Sequence, residues 1–253
     1  MQENESHGRL DSVPLAQAPS CNLVDSFFRA VPLFAGFSED ELKFVISVAQ
    51  YRHYQKRSVI FHASDPGSAV FILKAGMVKV SIVHQTGREA IVHLLHPKDF
   101  FGEMAFLDGS YRSATIVAVE EVEAYLVEGT VFSRLLNMHP KLLLTVLGGL
   151  CKRLRQMNDK VGRLIFTDIY ERVGGAIMEL AETRGQRKEG VMVIDLPLSR
   201  QELASFIGIT RQTLSSVFHK HQLAGVLAIS GRRLSILDES RFLRDPSIAP
   251  LDK

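Results

Sequence analysis

A heptad repeat of apolar side chains restricts the fold of this chain more than any other feature of its sequence. Seven apolar residues recur at alternating steps of four and three: Leu143, Leu147, Leu150, Leu154, Met157, Val161 and Leu164. A spacing that averages about 3.5 residues over three heptads is typical of two helices paired in a coiled coil. A helix that packs only on its own domain needs a wider apolar stripe. The repeat therefore predicts a long dimerisation helix over residues 135–166, and hence a homodimer.

The segment before this helix has the composition of a β-rich domain. Short apolar runs between residues 57 and 128 alternate with turn sequences such as Asp65-Pro66-Gly67. Many short strands at regular spacing are typical of a closed antiparallel barrel or jelly roll. The predicted strands are Ser58–Phe61, Ala69–Leu73, Met77–Val83, Ala90–Leu95, Thr115–Val119 and Val122–Val127. We expect residues 24–134 to form a β-roll that senses a ligand, behind a flexible polar tail of residues 1–23.

Two short helices around a glycine are predicted near the C-terminus. Ser199–Glu202 is a capping box that can begin the first helix, and Gly208 can take the positive φ of a tight turn. Such a pair is a helix-turn-helix, and the alternating residues 228–237 predict a hairpin wing beside it. The charged residues 185–190 are expected to form a loop. We therefore predict a winged helix-turn-helix domain over residues 167–253.

The exposed face of the second short helix suits double-stranded DNA. Arginine can pair with the guanine edge in the major groove and glutamine with adenine, which favours Arg211 and Gln212 as base contacts. Hydroxyl and cationic groups around them suit phosphate contacts, which set the register without reading sequence. The predicted DNA-binding residues are Ser199, Arg200, Thr210, Arg211, Gln212, Ser216, Lys220 and Arg232.

The overall charge excludes few classes of protein, whereas the motifs of the sequence exclude several. With 30 Lys and Arg against 28 Asp and Glu, the formal net charge is only +2, so the expectation of DNA binding depends on the locally basic residues 199–233. No apolar run approaches the roughly 20 residues of a membrane span, and residues 1–20 lack the order of a signal peptide. We find no Ser/His/Asp set, paired catalytic carboxylates or Walker loop. A cytoplasmic protein without membrane contact, enzymatic activity or catalytic residues is expected.

Metal chemistry is not indicated either. Cys21 and Cys151 lie far apart and in no metal-ligand spacing, which argues against an iron–sulfur cluster. His84, His93 and His96 lie in the β-rich segment, where histidines are more often solvated or bonded to the backbone than bound to a metal or haem. The prediction is no metal, haem or iron–sulfur cluster.

A second constellation lies inside the β-rich segment. Gly102-Glu103-Met104 is followed closely by Arg112-Ser113-Ala114. A glycine lets backbone N–H groups approach an anion, and an arginine with a nearby hydroxyl can hold phosphate oxygens. Phosphate would repel a carboxylate, so Glu103 is expected to accept a hydrogen bond from a sugar hydroxyl.

The order of these segments resembles the cAMP receptor protein and fumarate–nitrate reduction regulator (CRP/FNR) family. The resemblance covers residues 24–237, and its matching stretches are Phe101–Glu103, Arg112–Ala114, Lys160–Asp168 and Ser199–Leu203. It implies an α+β protein with a β-roll of the cyclic-nucleotide-binding type, a long dimerisation helix and a C-terminal winged helix-turn-helix. It also implies a hinge near residues 166–168 that re-poses the recognition helices, and RNA polymerase as a further partner.

The same resemblance assigns roles by position. Glu103 would bond the ribose, Arg112 and Ser113 the cyclic phosphate, and Arg153 would close the pocket from the long helix. The predicted ligand-binding residues are Gly102, Glu103, Met104, Arg112, Ser113, Ala114, Arg153, Met157 and Asn158. The last two stand where the cAMP receptor contacts adenine with a Thr-Ser pair. The thioether of methionine is a poor hydrogen-bonding group, whereas the asparagine amide both donates and accepts.

The identity of the effector therefore stays open. Cyclic AMP is the first choice, cyclic di-GMP the next, and cyclic GMP or no ligand the remaining alternatives. Arg211 matches a guanine-reading position, but Gln212 and Ser216 depart from the cAMP receptor, so a two-fold-related operator of different sequence is expected. The alternative class is a ligand-binding regulatory subunit that acts on a protein partner, against which the helix-turn-helix and the wing argue.

Overall fold

The computed structural model describes residues 21–245 of the chain. Residues 1–20 of the predicted flexible tail lie outside the described residues, whereas residues 21–23 belong to the first helix. Two helices open this part of the chain, α1 (Cys21–Arg29) and α2 (Glu39–Val48), with a short 3-10 helix (Pro32–Phe34) between them. Ser38 and Glu41 form a reciprocal capping box that begins α2.

Eight strands then form two four-stranded antiparallel sheets. They are β1 (Gln50–Tyr54), β2 (Val59–Phe61), β3 (Ala69–Ala75), β4 (Val78–Val83), β5 (Glu89–Leu95), β6 (Phe100–Phe101), β7 (Thr115–Ala118) and β8 (Val122–Glu128). One sheet has the order β1-β8-β3-β6 and the other β2-β7-β4-β5. A shared apolar core between them includes Leu73, Leu95, Phe101 and Ile116. The predicted antiparallel β-roll is confirmed.

The sequence missed three short elements of this region. β1 reads Gln-Tyr-Arg-His-Tyr, without an apolar alternation that marks a buried strand, and β6 has only two residues. The third is helix α3 (Glu103–Asp108), which ends at Gly109, whose φ is +67°. β1 pairs with β8 and β6 pairs with β3, which are distant in the sequence, so no local pattern predicts these two strands.

The predicted long helix is present but begins later than expected. Helix α4 (Gly129–Met138) precedes it, and α5 runs over Pro140–Phe166. The expected start at residue 135 is therefore wrong, because His139 leaves the helical conformation and Pro140 begins a new helix at its favoured first position. Five seam residues are 40–62% exposed in the single chain: Leu143, Leu147, Leu154, Val161 and Leu164.

A third unit follows a break at Thr167, whose backbone is extended. Its helices are α6 (Ile169–Arg184), α7 (Arg200–Ile207), α8 (Arg211–Leu223) and α9 (Glu239–Phe242). Its strands are β9 (Gly185–Lys188), β10 (Val191–Asp195), β11 (Leu227–Ser230) and β12 (Arg233–Ile236), in the order β11-β12-β10-β9. Residues 185–190 were expected to be a loop. That expectation is wrong for 185–188, which pair with β10, since edge pairing supplies the order that their polar side chains do not predict.

The third unit packs against the β-roll. Ile91 of β5 is buried in the same apolar cluster as Leu203 and Phe206 of α7. Lys79 of β4, only 6% exposed, lies 3.0 Å from a carboxylate oxygen of Glu89 and 3.1 Å from that of Glu202. A strand of the β-roll is thus joined, through apolar contacts and a buried cation, to α7.

Candidate functional site

A cavity of about 560 Å³ lies between the β-roll and α5. Most of its lining is apolar, and its polar groups come from α3, the segment before β7, β5 and the long helix. The predicted ligand-binding residues that line it are Gly102, Glu103, Met104, Arg112, Ser113, Ala114, Arg153 and Met157. Asn158 does not line the cavity of its own chain and is exposed. The structure therefore brings together residues that are up to 55 positions apart in the sequence, from Gly102 to Met157.

Arg112 is held from several sides and is only 7% exposed. Its Nη1 donates to the Gly102 carbonyl at 2.6 Å and its Nη2 to the Ala69 carbonyl at 3.0 Å. Its guanidinium carbon lies 4.3 Å from the centre of the Phe61 ring. A Cβ on Gly67 would lie 2.2 Å from Arg112 Nε, so the absence of a side chain there makes the niche. Two carbonyls and an aromatic ring therefore bury this guanidinium.

Glu103 connects the cavity to the long helix. It is 1% exposed, and its Oε1 accepts from Arg153 Nη1 at 2.5 Å. Arg153 Nη2 also donates to the Phe100 carbonyl. Burial raises the pKa of Glu103, and the neighbouring Arg153 cation opposes that shift. The role predicted for Arg153, closing the cavity from α5, has a geometric basis in this ion pair.

Two buried polar atoms at the cavity have no hydrogen-bond partner within the described part of the chain. They are Glu103 Oε2 and Arg112 Nε. A carboxylate oxygen can accept from a sugar hydroxyl, and a guanidinium N–H can donate to a phosphate oxygen. Unsatisfied buried groups of this kind are costly, at about 1–3 kcal/mol each. The donor and acceptor that remain free are those that a ribose and a cyclic phosphate would use, so these residues fit a cyclic nucleotide.

The rim of the cavity is more open. Ser113 is exposed, and among the described residues its hydroxyl makes only a long contact of 3.7 Å to the Met104 sulfur, which leaves it free to turn toward an anion. Other lining residues escaped the sequence reasoning, among them Phe61, Val80 and His93. Their strands were predicted, but which side of each strand faces the cavity depends on how the sheets pair.

The candidate DNA-binding surface is the outer side of α8. Arg211, Gln212, Ser216 and Lys220 are all exposed, whereas Leu214, Val217 and Phe218 are buried. The Thr210 hydroxyl accepts from the Thr213 N–H and begins the helix. Gly208 ends α7 with a φ of +82°, as the tight turn between the two helices requires. The predicted helix-turn-helix is confirmed, with its polar face outward.

Several predicted phosphate contacts already have protein partners. Lys220 Nζ donates to the Tyr170 hydroxyl at 2.7 Å, and Arg232 Nη2 donates to the Pro197 carbonyl at 3.1 Å. Arg200 lies 4.6 Å from the Phe218 ring, and burial lowers its pKa. Ser199 caps α7 by accepting from the Glu202 N–H. These contacts hold the cations near α8 and the wing.

Two observations concern other chemistries. Within residues 21–245, no helix is both long and apolar enough to cross a bilayer. Among the same residues, no group of three or more His, Cys, Asp or Glu side chains is arranged to hold a metal ion.

Two models of known protein domains match this chain, one in its N-terminal part and one in its C-terminal part. A cyclic nucleotide-binding domain model matches residues 51–139, and a Crp-like helix-turn-helix domain model matches residues 171–244. The cyclic AMP receptor protein of Thermus thermophilus is 30% identical over 216 residues, which cover 83% of this chain and 97% of that protein.

Solved structures share the fold. FixK2 from Bradyrhizobium japonicum has a TM-score of 0.68 at 22% identity and covers 80% of this chain and 99% of its own. The c-di-GMP responsive regulator CLP from Xanthomonas campestris has a TM-score of 0.68 at 23% identity and covers 76% of this chain and 95% of its own. At such identities the likeness concerns the fold alone.

The chain belongs to the CRP/FNR family of transcription regulators. It combines a cyclic-nucleotide-binding domain with a DNA-binding helix-turn-helix domain, which is the organisation of a CRP-like regulator.

Proposed function

We propose that this protein is a homodimeric transcription regulator whose binding to a two-fold-related DNA operator is controlled by cyclic AMP held in the β-roll cavity. The observation that carries the proposal is the pair of unsatisfied buried atoms at one end of that cavity, Glu103 Oε2 and Arg112 Nε. One accepts and the other donates, which suits a ribose hydroxyl beside a phosphate oxygen.

The supply of free cationic groups favours a mononucleotide over a cyclic dinucleotide. Two N–H groups of the Arg112 guanidinium already donate to carbonyls of the chain, and Arg153 is already paired with Glu103. A ligand with two phosphates would need a second free cation in the cavity. The cyclic AMP receptor protein of Thermus thermophilus, the relative at 30% identity, is named for cyclic AMP, which supports the same choice. Cyclic di-GMP remains the second candidate, because CLP, which shares the fold, is described as responsive to it.

The dimer is proposed from the exposed seam of α5. Large apolar side chains such as Leu147 and Val161 face outward in the single chain, at the heptad spacing that a second helix would cover. A parallel pair would present two α8 helices to two half-sites of DNA. The family resemblance adds RNA polymerase as the partner through which such a complex would act.

Calorimetric titration of the full-length protein with cyclic AMP, cyclic GMP and cyclic di-GMP tests the proposal directly. Saturable one-to-one binding per chain, tightest for cyclic AMP, is the expected result. Gel-shift titration of one operator fragment with and without the bound nucleotide then measures the coupling. Binding of cyclic di-GMP alone would replace the effector, and binding of none of the three would overturn the proposed function of the cavity.

A further inference from the structure

We propose that His93 of β5 is a specificity-determining residue that hydrogen-bonds the base of the bound nucleotide. The proposal rests on the proposed cyclic-nucleotide function and names a residue of the same cavity. His93 lines the cavity beside Val80 and Met157. Within residues 21–245 its ring nitrogens make no hydrogen bond.

A bulge in β5 turns His93 toward the cavity. Val80 of β4 pairs with His93, and the next residue, Ser81, pairs with Ile91, so Val92 is an extra residue in β5. In a regular strand Ile91 and His93 would share one face of the sheet. The bulge shifts the phase, which is a known way for a sheet to re-aim a side chain beside a functional site.

The neighbours of His93 show the result of that shift. Ile91 and Leu94 pack with the core of the C-terminal domain, on the side away from the cavity. Leu95 packs in the β-roll core and lines the cavity, as His93 does. The alternation of side chains between the two faces of β5 is therefore interrupted at Val92, and His93 lies on the face that lines the cavity.

The position of His93 within the sheet suits a contact to the base of the nucleotide and not to its phosphate. Val80 pairs with Ile116 of β7 on one side and with His93 of β5 on the other, which makes a row across the sheet. Ile116 lies three residues after Ser113, at the end where the cyclic phosphate is proposed. Two strand spacings, about 10 Å, separate β7 from β5. A mononucleotide anchored by its phosphate near Arg112 would extend its purine along this row.

The protonation state of the His93 ring suits a hydrogen bond to a base. Burial lowers the pKa of His93, and the Arg153 and Lys160 cations lower it further, whereas Asp99 acts in the opposite direction. A neutral imidazole offers one donor and one acceptor, which matches the mixed edge of a purine. Met157, which lines the same cavity from α5, offers neither strongly. His93 thus supplies the hydrogen bond that the long helix of this chain lacks.

The test is calorimetric titration of full-length wild type and His93→Ala with three ligands. They are cyclic AMP, its 6-deamino analogue (purine riboside 3′,5′-cyclic monophosphate) and 7-deaza cyclic AMP. We expect His93→Ala to weaken cyclic AMP about tenfold, as for one hydrogen bond to a base. The loss should shrink to within about twofold for the one analogue that lacks the group contacted by the ring.

His96→Ala is the matched control. His96 lies three residues after His93 in the sequence. It is also partly buried and has a pKa lowered chiefly by burial, but it does not line the cavity. It should bind all three ligands as the wild type does. His93→Asn keeps a donor and an acceptor and should recover part of the affinity, with thermal unfolding as the check on folding of every variant.

The outcomes separate the two proposals. If the wild type binds cyclic AMP and His93→Ala binds it equally well, the role of His93 is overturned and the proposed function stands. An equal loss for all three ligands would likewise overturn base recognition by His93. A wild type that binds none of the three ligands overturns the proposed function, and the role of His93 with it.

Discussion

The ligand cavity and the recognition helix α8 satisfy their polar side chains in opposite ways. In the cavity, Arg112 and Arg153 donate to carbonyl and carboxylate groups of the same chain, and both are largely enclosed. On α8, Arg211 and Gln212 are exposed to solvent. We therefore expect a cavity side chain to contribute both to folding and to ligand binding, whereas a side chain on the outer face of α8 can be changed with little cost to the fold.

The long helix combines both situations. Leu150 packs against the N-terminal core and lines the cavity, and Leu154 also lines it. Leu147 and Val161 belong to the same seam but line no part of the cavity. Substitutions at Leu150 and Leu154 would confound dimerisation with ligand binding, and substitutions at Leu147 and Val161 would not.

The largest effect is expected at the seam. Leu147→Asp with Val161→Asp should convert the dimer into a monomer, because each carboxylate would be buried against the partner helix, and even a neutral unsatisfied group costs roughly 2–7 kcal/mol. Sedimentation velocity measures the outcome. Leu144→Asp, on the same helix at an exposed position outside the heptad, is the control and should remain dimeric. A double variant that still sediments as a dimer would exclude α5 as the interface.

The next effect sharpens the description of the cavity. Arg112→Leu should abolish tight binding of cyclic AMP and also lower the free energy of unfolding by roughly 2–4 kcal/mol, because the carbonyls of Gly102 and Ala69 lose their donors. Urea unfolding in the absence of ligand measures the second part. Ser113→Ala, at the exposed rim, should weaken the ligand and leave stability unchanged. An Arg112→Leu variant as stable as the wild type would contradict the buried niche.

The recognition helix should respond differently. Arg211→Ala should reduce discrimination between the operator and a guanine-substituted site by roughly 1–3 kcal/mol without changing stability. Lys220→Ala should instead weaken all sequences about equally and lower the salt dependence of binding by about one ion. Fluorescence anisotropy across a salt series distinguishes the two. An unchanged specificity ratio for Arg211→Ala would show that α8 is docked differently.

The smallest effect concerns Lys160, which contacts both halves of the molecule. Its Nζ donates to the Ile91 carbonyl of β5 at 2.7 Å and lies 4.3 Å from the centre of the Phe206 ring of α7. Burial lowers the pKa of Lys160 from 10.5 to about 8. Between these values the unfolded chain binds more protons, so the free energy of unfolding should rise as the pH increases from about 8 to about 10.5.

We expect that rise to be on the order of 1 kcal/mol, since the carbonyl and the aromatic ring favour the charged ammonium and offset part of the burial. It is measured as the difference in urea unfolding between wild type and Lys160→Met at pH 8 and pH 10. Lys152→Met, at an exposed position of the same helix, should show no such difference. A difference between wild type and Lys160→Met that does not change with pH would place the titration elsewhere.

The sequence by itself determined the elements that depend on neighbours within a few residues. The capping box of Ser199 and Glu202, the turn at Gly208 and the polar outer face of α8 follow from local hydrogen bonds and helical periodicity, and all appear as expected. The heptad likewise predicted α5, although its beginning is set by Pro140 and not by the repeat. The paired residues Gly102-Glu103 and Arg112-Ser113 pointed to the cavity through their chemistry.

Only the tertiary structure decided how those cavity residues are used. Arg112 finds an acceptor at Ala69, 43 residues away, and Arg153 pairs with Glu103 across 50 residues. His93 faces the cavity because β4 and β5 pair with a bulge, which no alternation in the sequence records. The physical reason is the range of the interactions: caps and turns are closed by adjacent residues, whereas burial, strand register and the partners of buried charges are set by segments that meet only in the fold.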